Sequence, residues 1–220
     1  MQSIKLFGYV ATLLLLLADT TCAQLDVAGE GRVVYGHHHF NVSNVKEQRR
    51  FWDDTLGGTA ASFGEFEIIK FTNVILFMRE KTPAGGSKGS TVNHIGFTVP
   101  DLEKVLDRIE AAGFSVVTKE EVPATMQVKD GIAYNEVQDA YLAFVMAPDD
   151  IKIEFIGAPQ QAEVAKLHHI HFATPDITAM QAWYASTLGA VPGMRGNFEA
   201  ADLPGVNLTF SRSDLPLSAT

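Results

Sequence analysis

The seven histidines of this chain fall at only three places. His37, His38 and His39 form one group, His94 stands alone, and His168, His169 and His171 form another. Clustering of this kind points to an internal repeat, and a repeat restricts the available folds more tightly than any bulk property. The segments align without gaps: His37-His38-His39-Phe40-Asn41-Val42-Ser43-Asn44, His94-Ile95-Gly96-Phe97-Thr98-Val99-Pro100-Asp101, and His169-Ile170-His171-Phe172-Ala173-Thr174-Pro175-Asp176. Between the first and third copies the offset of 132 (His37 to His169) carries further. It lays Phe51-Trp52-Asp53-Asp54-Thr55-Leu56-Gly57 over Trp183-Tyr184-Ala185-Ser186-Thr187-Leu188-Gly189.

Each copy opens as a strand and turns into a helix. In the second, Ile95, Phe97 and Val99 alternate with His94, Gly96 and Thr98, the period of a half-buried strand. Pro100-Asp101 breaks it, and the Asp101 carboxylate is suited to cap first-turn amides. Leu102, Val105, Leu106 and Ile109 then form an apolar helical stripe, repeated in the third copy by Ile177, Met180, Tyr184 and Leu188. Gly57, Gly113 and Gly189 close the helices, where a left-handed residue is expected. Strand-like runs follow: 114–118, 141–146 and 151–156 in the second copy, 68–71 and 74–78 in the first. The unit is strand, helix and about three strands. Segments 82–90 and 157–163 link the copies.

Alternation also fixes the facing of the polar residues. If Ile95, Phe97 and Val99 cover the helix stripe, His94 points to the opposite sheet face. The same reasoning sets Phe40 and Val42 against His37 and His39. In the last strand of the second copy it sets Ile151, Ile153 and Phe155 against Lys152 and Glu154. Imidazole and carboxylate groups at repeated positions suit an octahedral divalent cation with open positions. His37, in register with His94, is assigned as a ligand together with His94 and Glu154. His39 becomes a nearby acid/base candidate, and His38 packs elsewhere.

Composition narrows the partners. Net charge is −9 without a Lys/Arg run, which argues against nucleic acid or an anionic membrane and fits a small-molecule substrate. The single cysteine, Cys22, lies in the leader, so thiolate metal sites and disulfide scaffolds are excluded from the mature chain. Residues 1–23 read as an export signal: Lys5, the apolar run from Leu6 to Ala18, then Thr21-Cys22-Ala23 before Gln24. The run is short for a membrane span, so the expected product is exported, periplasmic or secreted, and free of the membrane after cleavage.

These repeated units, with His in the first strand and Glu in the last, resemble the vicinal oxygen chelate superfamily. That superfamily includes glyoxalase I, extradiol dioxygenases, fosfomycin-resistance and bleomycin-resistance proteins. Ala147-Pro148-Asp149-Asp150-Ile151-Lys152-Ile153-Glu154-Phe155 is similar to its turn and final strand, with Asp150 in place of a customary glycine. The resemblance implies an α+β fold in which two βαβββ modules pair into a U-shaped mixed sheet around a cleft. It implies a two-module domain over 33–157 and a third, unpaired module over 166–220, with His169 and His171 in an incomplete site; a truncated second domain is the favoured reading of that module, beside pairing with another chain or a half-domain kept for packing. The last strand of the first unit, Val74 to Met78, lacks a ligand. A His, His, Glu set looks like the iron or manganese dioxygenases or the fosfomycin-modifying transferases rather than the four-ligand glyoxalases. Fe2+ or Mn2+ is the expected metal, with Zn2+ and Ni2+ as alternatives. His39 or Tyr141 would move protons, and a homodimer is allowed. A glyoxalase-like lyase and a metal-free ligand-sequestering protein lined by Trp52, Phe63, Phe66 and Tyr141 are the competing readings.

Overall fold

The computed structural model describes residues 33–214 and 217. The proposed export signal, 1–23, lies outside the described residues. The first unit contains β1 (His37–Val42), α1 (Val45–Arg49), β2 (Thr59–Phe63), β3 (Phe66–Lys70) and β4 (Ile75–Glu80). Its helix continues in π-helical form over Arg50–Thr55. The second contains β5 (Val92–Val99), α2 (Leu102–Ala111), β6 (Ser115–Val116), α3 (Thr118–Glu121), β7 (Val128–Lys129), β8 (Ile132–Asn135), β9 (Ala140–Ala147) and β10 (Ile151–Gly157). The third contains β11 (Lys166–Thr174), α4 (Ile177–Leu188), β12 (Val191–Arg195), β13 (Phe198–Leu203) and β14 (Val206–Arg212).

The three units start their helices the same way. Asn44, Asp101 and Asp176, equivalent in the repeat, each accept first-turn amide hydrogen bonds on their side chains. Gly57, Gly113 and Gly189 adopt φ of 80°, 82° and 77° beyond the helices, a region that costs glycine nothing. In the β9–β10 turn Asp149 and Asp150 both take positive φ, 62° and 56°. Aspartate tolerates this region better than most residues, which explains how the turn survives without its glycine.

The architecture is the expected α+β assembly of βαβββ units, but the pairing of units differs. β1 to β4 form a separate four-stranded sheet in the order β1-β4-β3-β2. The larger sheet runs β12-β13-β14-β11-β5-β10-β9-β8-β7, so the second unit pairs with the third, through antiparallel β5 and β11. The unit without a partner among the described residues is therefore the first.

The short connection after β10 accounts for this. It crosses the end of β5, where the Ala158 amide donates to the Val99 carbonyl at 2.7 Å and the Gln161 amide group to the Thr98 carbonyl at 3.0 Å. The strap delivers β11 onto the free edge of β5. Asn73 then fixes it from the first unit, donating to the Leu167 carbonyl and accepting from the Leu167 amide, both at 2.9 Å. These bonds satisfy a backbone that leaves the β-ladder at a bulge between Leu167 and His169.

Both sheets turn their apolar faces to one core. Trp52, fully buried, has its ring 5.8 Å from Phe97 of β5 and 6.2 Å from Phe71. Its indole N–H donates to Gln48 Oε1 at 2.9 Å, and the Gln48 amide donates to Asp149 at 2.9 Å. The stripe Leu102, Val105, Leu106 and Ile109 is buried as its spacing requires. In α4 the corresponding residues pack only partly, and Trp183 is half exposed. Among the described residues no helix is long and apolar enough to cross a membrane.

Candidate metal centre

Pairing β5 with β11 sets His94 opposite His171 and Gly96 opposite His169. Parallel pairing of β10 with β5 places Glu154 beside Gly96. Three polar atoms then converge: His94 Nε2 lies 3.0 Å from Glu154 Oε2, His169 Nε2 lies 3.1 Å from the same oxygen, and the two nitrogens are 3.2 Å apart. All three residues are buried. A cation bonded at about 2.1 Å to three mutually adjacent octahedral positions needs donor separations of about 3.0 Å. The triangle meets that requirement.

His171 completes the cluster. One of its nitrogens lies within 4.8 Å of ligand atoms of His94 and His169, and its ring stacks on His94 at 4.6 Å. Strand alternation puts both His169 and His171 of the third unit on the cleft face, whereas Gly96 occupies the position of His171 in the second unit.

The Nδ1 atoms are all engaged elsewhere. His94 Nδ1 meets Asn93 Oδ1 at 3.0 Å, His169 Nδ1 meets His168 Nδ1 at 2.9 Å, and His171 Nδ1 meets the Thr209 hydroxyl at 3.0 Å. Engaging one ring nitrogen leaves the other for a cation and holds the ring plane, as is usual around ligating histidines. Burial depresses the pKa of His94 to about 4 and that of His171 to about 2, so both are neutral near pH 7. Burial alone would raise Glu154, but the hydrogen bonds with His169 and His94 outweigh it and hold the carboxyl well below the ordinary range. Neutral His94 and His171 with an ionised Glu154 are protonation states that suit metal binding.

The cluster opens into a cavity of about 390 Å³ whose wall includes Met126, Leu142, Phe144 and Phe198, with Asn207 and Arg195 among its polar groups. This is the size and character of a small-molecule site. Lys152 and Glu121 form a buried ion pair at 2.8 Å close by, and Glu121 also holds Lys88 at 2.6 Å.

Of the ligands expected from the sequence, His94 and Glu154 come together. His37 does not join them: it lies on β1 in the other sheet, exposed and 5.5 Å from the Phe77 ring. His39 shares that location, stacked on Phe77 at 4.9 Å, so it is not beside the cluster. Tyr141 is 59% exposed on β9, where alternation turns Leu142 and Phe144 into the cavity and Tyr141 away, against Tyr134. His169, expected to be half of an incomplete site, supplies the third corner. The signal was present in the sequence, because His169 has the same repeat register as His37. What decides between them is the strap after β10.

The equivalences extend to the last strands. Glu154 pairs with Gly96, Phe77 with His39, and Thr209 with His171, so Glu154, Phe77 and Thr209 occupy one position of the repeat. Only the second unit places a carboxylate there.

Fold and cluster together define a βαβββ-repeat protein with a histidine–carboxylate cleft. A family model described as the Glyoxalase/Bleomycin resistance protein/Dioxygenase superfamily matches residues 34–155, and the chain belongs to that superfamily. Among solved structures, glyoxalase I from Zea mays is similar at a TM-score of 0.59 and 13% identity, over 84% of this chain and 70% of that one. A glutamate-to-glutamine mutant of the Zea mays enzyme gives 0.61 at 13% identity, over 84% and 71%. At such identity the likeness concerns the fold. No curated protein matches the chain.

Proposed function

We propose that this chain is an exported, metal-dependent enzyme of the vicinal oxygen chelate type, dioxygenase-like, with His94, His169 and Glu154 holding Fe2+ or Mn2+. The observation that carries this reading is the triangle of 3.0, 3.1 and 3.2 Å between two imidazole nitrogens and one carboxylate oxygen. Two histidines and one carboxylate on one face leave open positions, the arrangement suited to non-haem Fe(II) oxygenases. Thr209, at the position where a four-ligand site would carry a second carboxylate, supports a three-ligand centre. Such a cation, when bound, acts as Lewis acid and template for vicinal substrate oxygens.

The chain's own residues supply the remainder. His171, neutral and beside the triangle, is placed to orient a substrate oxygen by hydrogen bonding, and the Thr209 hydroxyl holds its ring for that contact. Phe144 and Phe198 flank His94 and His171, with ring centroids at 5.3 and 4.9 Å, and offer apolar contact to a planar substrate. Arg195 on the cavity wall is placed to meet a substrate anion.

The test is anaerobic reconstitution with Fe(II) or Mn(II), followed by a catechol panel with oxygen uptake and ring-cleavage absorbance recorded. Oxygen consumption that His94→Ala, His169→Ala and Glu154→Gln each abolish is the expected result. Failure of the wild-type protein to bind any divalent ion would overturn the metal assignment. Turnover of a hemithioacetal without oxygen consumption would replace the oxygenase reading with the glyoxalase-like lyase alternative.

A further inference from the structure

Two register shifts interrupt the antiparallel ladder between β5 and β11, and the repeat relates them. On β11 the pairs Leu167–Phe97 and His169–Gly96 leave His168 as an extra residue. On β5 the pairs His94–His171 and Val92–Phe172 leave Asn93 as one. Each is a β-bulge, a device that re-aims a side chain beside a functional site. His169 follows His94 by 75 positions, so His168 and Asn93 occupy one position of the repeat, immediately before a histidine of the triangle.

Both bulged residues make the same contact. Asn93 Oδ1 lies 3.0 Å from His94 Nδ1, and His168 Nδ1 lies 2.9 Å from His169 Nδ1. Side chains of adjacent residues turn to opposite faces of a regular strand, so neither contact would form without its bulge. The burial pattern of β11 records the same break. Leu167 and Ile170 both enter the core with His168 and His169 between them, a spacing of three that strict alternation forbids. The first unit has Gly36 at this position, with no side chain to act as acceptor, and the histidine after it, His37, is the one that does not join the cluster.

The polarity of these contacts follows from the triangle, whose two nitrogen corners are Nε2 of His94 and Nε2 of His169. Once Nε2 serves as a ligand, the one proton of a neutral imidazole sits on Nδ1 and is donated from there. Asn93 must then present its carbonyl oxygen, and His168 an unprotonated Nδ1. A neutral imidazole that accepts at Nδ1 carries its own proton on Nε2. His168 is exposed and lines the cavity, and no hydrogen bond engages its Nε2 among the described residues. We propose that Asn93 and His168 are positioning residues, aimed by paired bulges, that hold His94 and His169 as Nδ1–H tautomers with Nε2 turned to the triangle. His168 does one thing more than Asn93: it presents Nε2–H to the cavity, so the substrate atom it meets is a hydrogen-bond acceptor. The inference rests on His94 and His169 being ligands, as proposed above.

Zn(II) is the probe, because it accepts imidazole and carboxylate donors and has no unpaired electrons to broaden a spectrum. Its affinity is measured by competition with a chromogenic chelator for the wild type, His168→Leu, His168→Asn and Asn93→Leu. Removing the acceptor in His168→Leu or Asn93→Leu should weaken zinc binding by about 10–100-fold, the usual effect of losing a ligand's hydrogen-bond partner. His168→Asn places an amide oxygen where Nδ1 stood, as Asn93 already does, and should restore wild-type affinity. Lost packing alone would not be rescued by the smaller polar side chain. Long-range proton–nitrogen correlation spectra of the zinc-loaded wild type should show His94 and His169 protonated at Nδ1 and His168 at Nε2. Undiminished zinc affinity in His168→Leu, no rescue by His168→Asn, or a proton on His168 Nδ1 would each overturn this inference alone. A wild-type protein that takes up no zinc would overturn the ligand assignment and this inference with it.

Discussion

The imidazole of His169 occupies the space above Gly96: a Cβ built on Gly96 would lie 2.1 Å from His169 Cε1 and 2.3 Å from Nδ1. Glycine is required here for space, since it is the side chain of a metal-cluster residue that fills the gap. Gly96→Ala is expected to push His169 out of the triangle while leaving the sheet paired. Metal affinity, measured by calorimetric titration, should fall by about 100-fold or more, as for loss of a ligand's support. The thermal midpoint of the metal-free protein should fall modestly, consistent with an overpacking cost of about 1–3 kcal/mol. Unchanged affinity would show that His169 is not a ligand.

Acid should destabilise the metal-free protein over a defined window. Burial lowers His94 from 6.5 to about 4, and it does the same to His38. Between those values the unfolded chain binds protons that the folded chain excludes, so stability rises with pH and is lost as pH falls. Each such proton contributes a slope of up to about 1.4 kcal/mol per pH unit. Glu154, held below the carboxylate range, adds a loss of the same sign at lower pH. Thermal unfolding in chelator should therefore show a midpoint that is level above about pH 6.5 and declines below it. His94→Gln should flatten that decline, and an unchanged slope would remove His94 from the account.

Much of this was legible in the sequence, for physical reasons. The repeat, the capping Asn44, Asp101 and Asp176, the helix-ending glycines and the facing of His94 and Glu154 all follow from local periodicity and backbone sterics. The partner of the second unit does not. His37 and His169 have identical register, and choosing between them depends on the strap from Ala158 to Ala165 and on Asn73 gripping Leu167 across 94 positions of chain. No local pattern encodes such contacts. Tyr141 failed as a proton-transfer candidate although alternation along β9 was readable, because its facing depends on which neighbours of that strand line the cavity. His171 was readable with His169 as part of an incomplete site, and its place beside the triangle rests on the β5–β11 register.

Thr209 separates ring orientation from metal ligation. Its hydroxyl lies 3.0 Å from His171 Nδ1 inside the cleft. Thr209→Val keeps the shape and removes the hydrogen bond, leaving a buried ring nitrogen without its partner at a cost of about 1–3 kcal/mol. Because Thr209 touches no corner of the triangle, metal affinity should change by less than about 10-fold, a smaller effect than for loss of a ligand's support. Turnover should drop more than affinity if His171 orients the substrate, and the two readouts measured on one preparation decide the point. A variant that loses metal as completely as His94→Ala would make His171 a ligand instead.

The Lys152–Glu121 pair offers a double-mutant cycle on the cavity wall. Lys152 is 5% exposed, with its ammonium 2.8 Å from Glu121 and 5.4 Å from the centre of the Phe144 ring. Glu121→Gln removes the charge that compensates a buried ammonium, and breaking such a pair from one side costs about 3–5 kcal/mol. Lys152→Met should cost less, because Glu121 keeps the exposed Lys88 at 2.6 Å. The double variant Glu121→Gln/Lys152→Met should recover most of the single-variant loss, since it removes both charges and leaves volume in place. Urea unfolding of the four proteins measures the coupling. Additive losses would show that the ammonium is already compensated by solvent in the cleft.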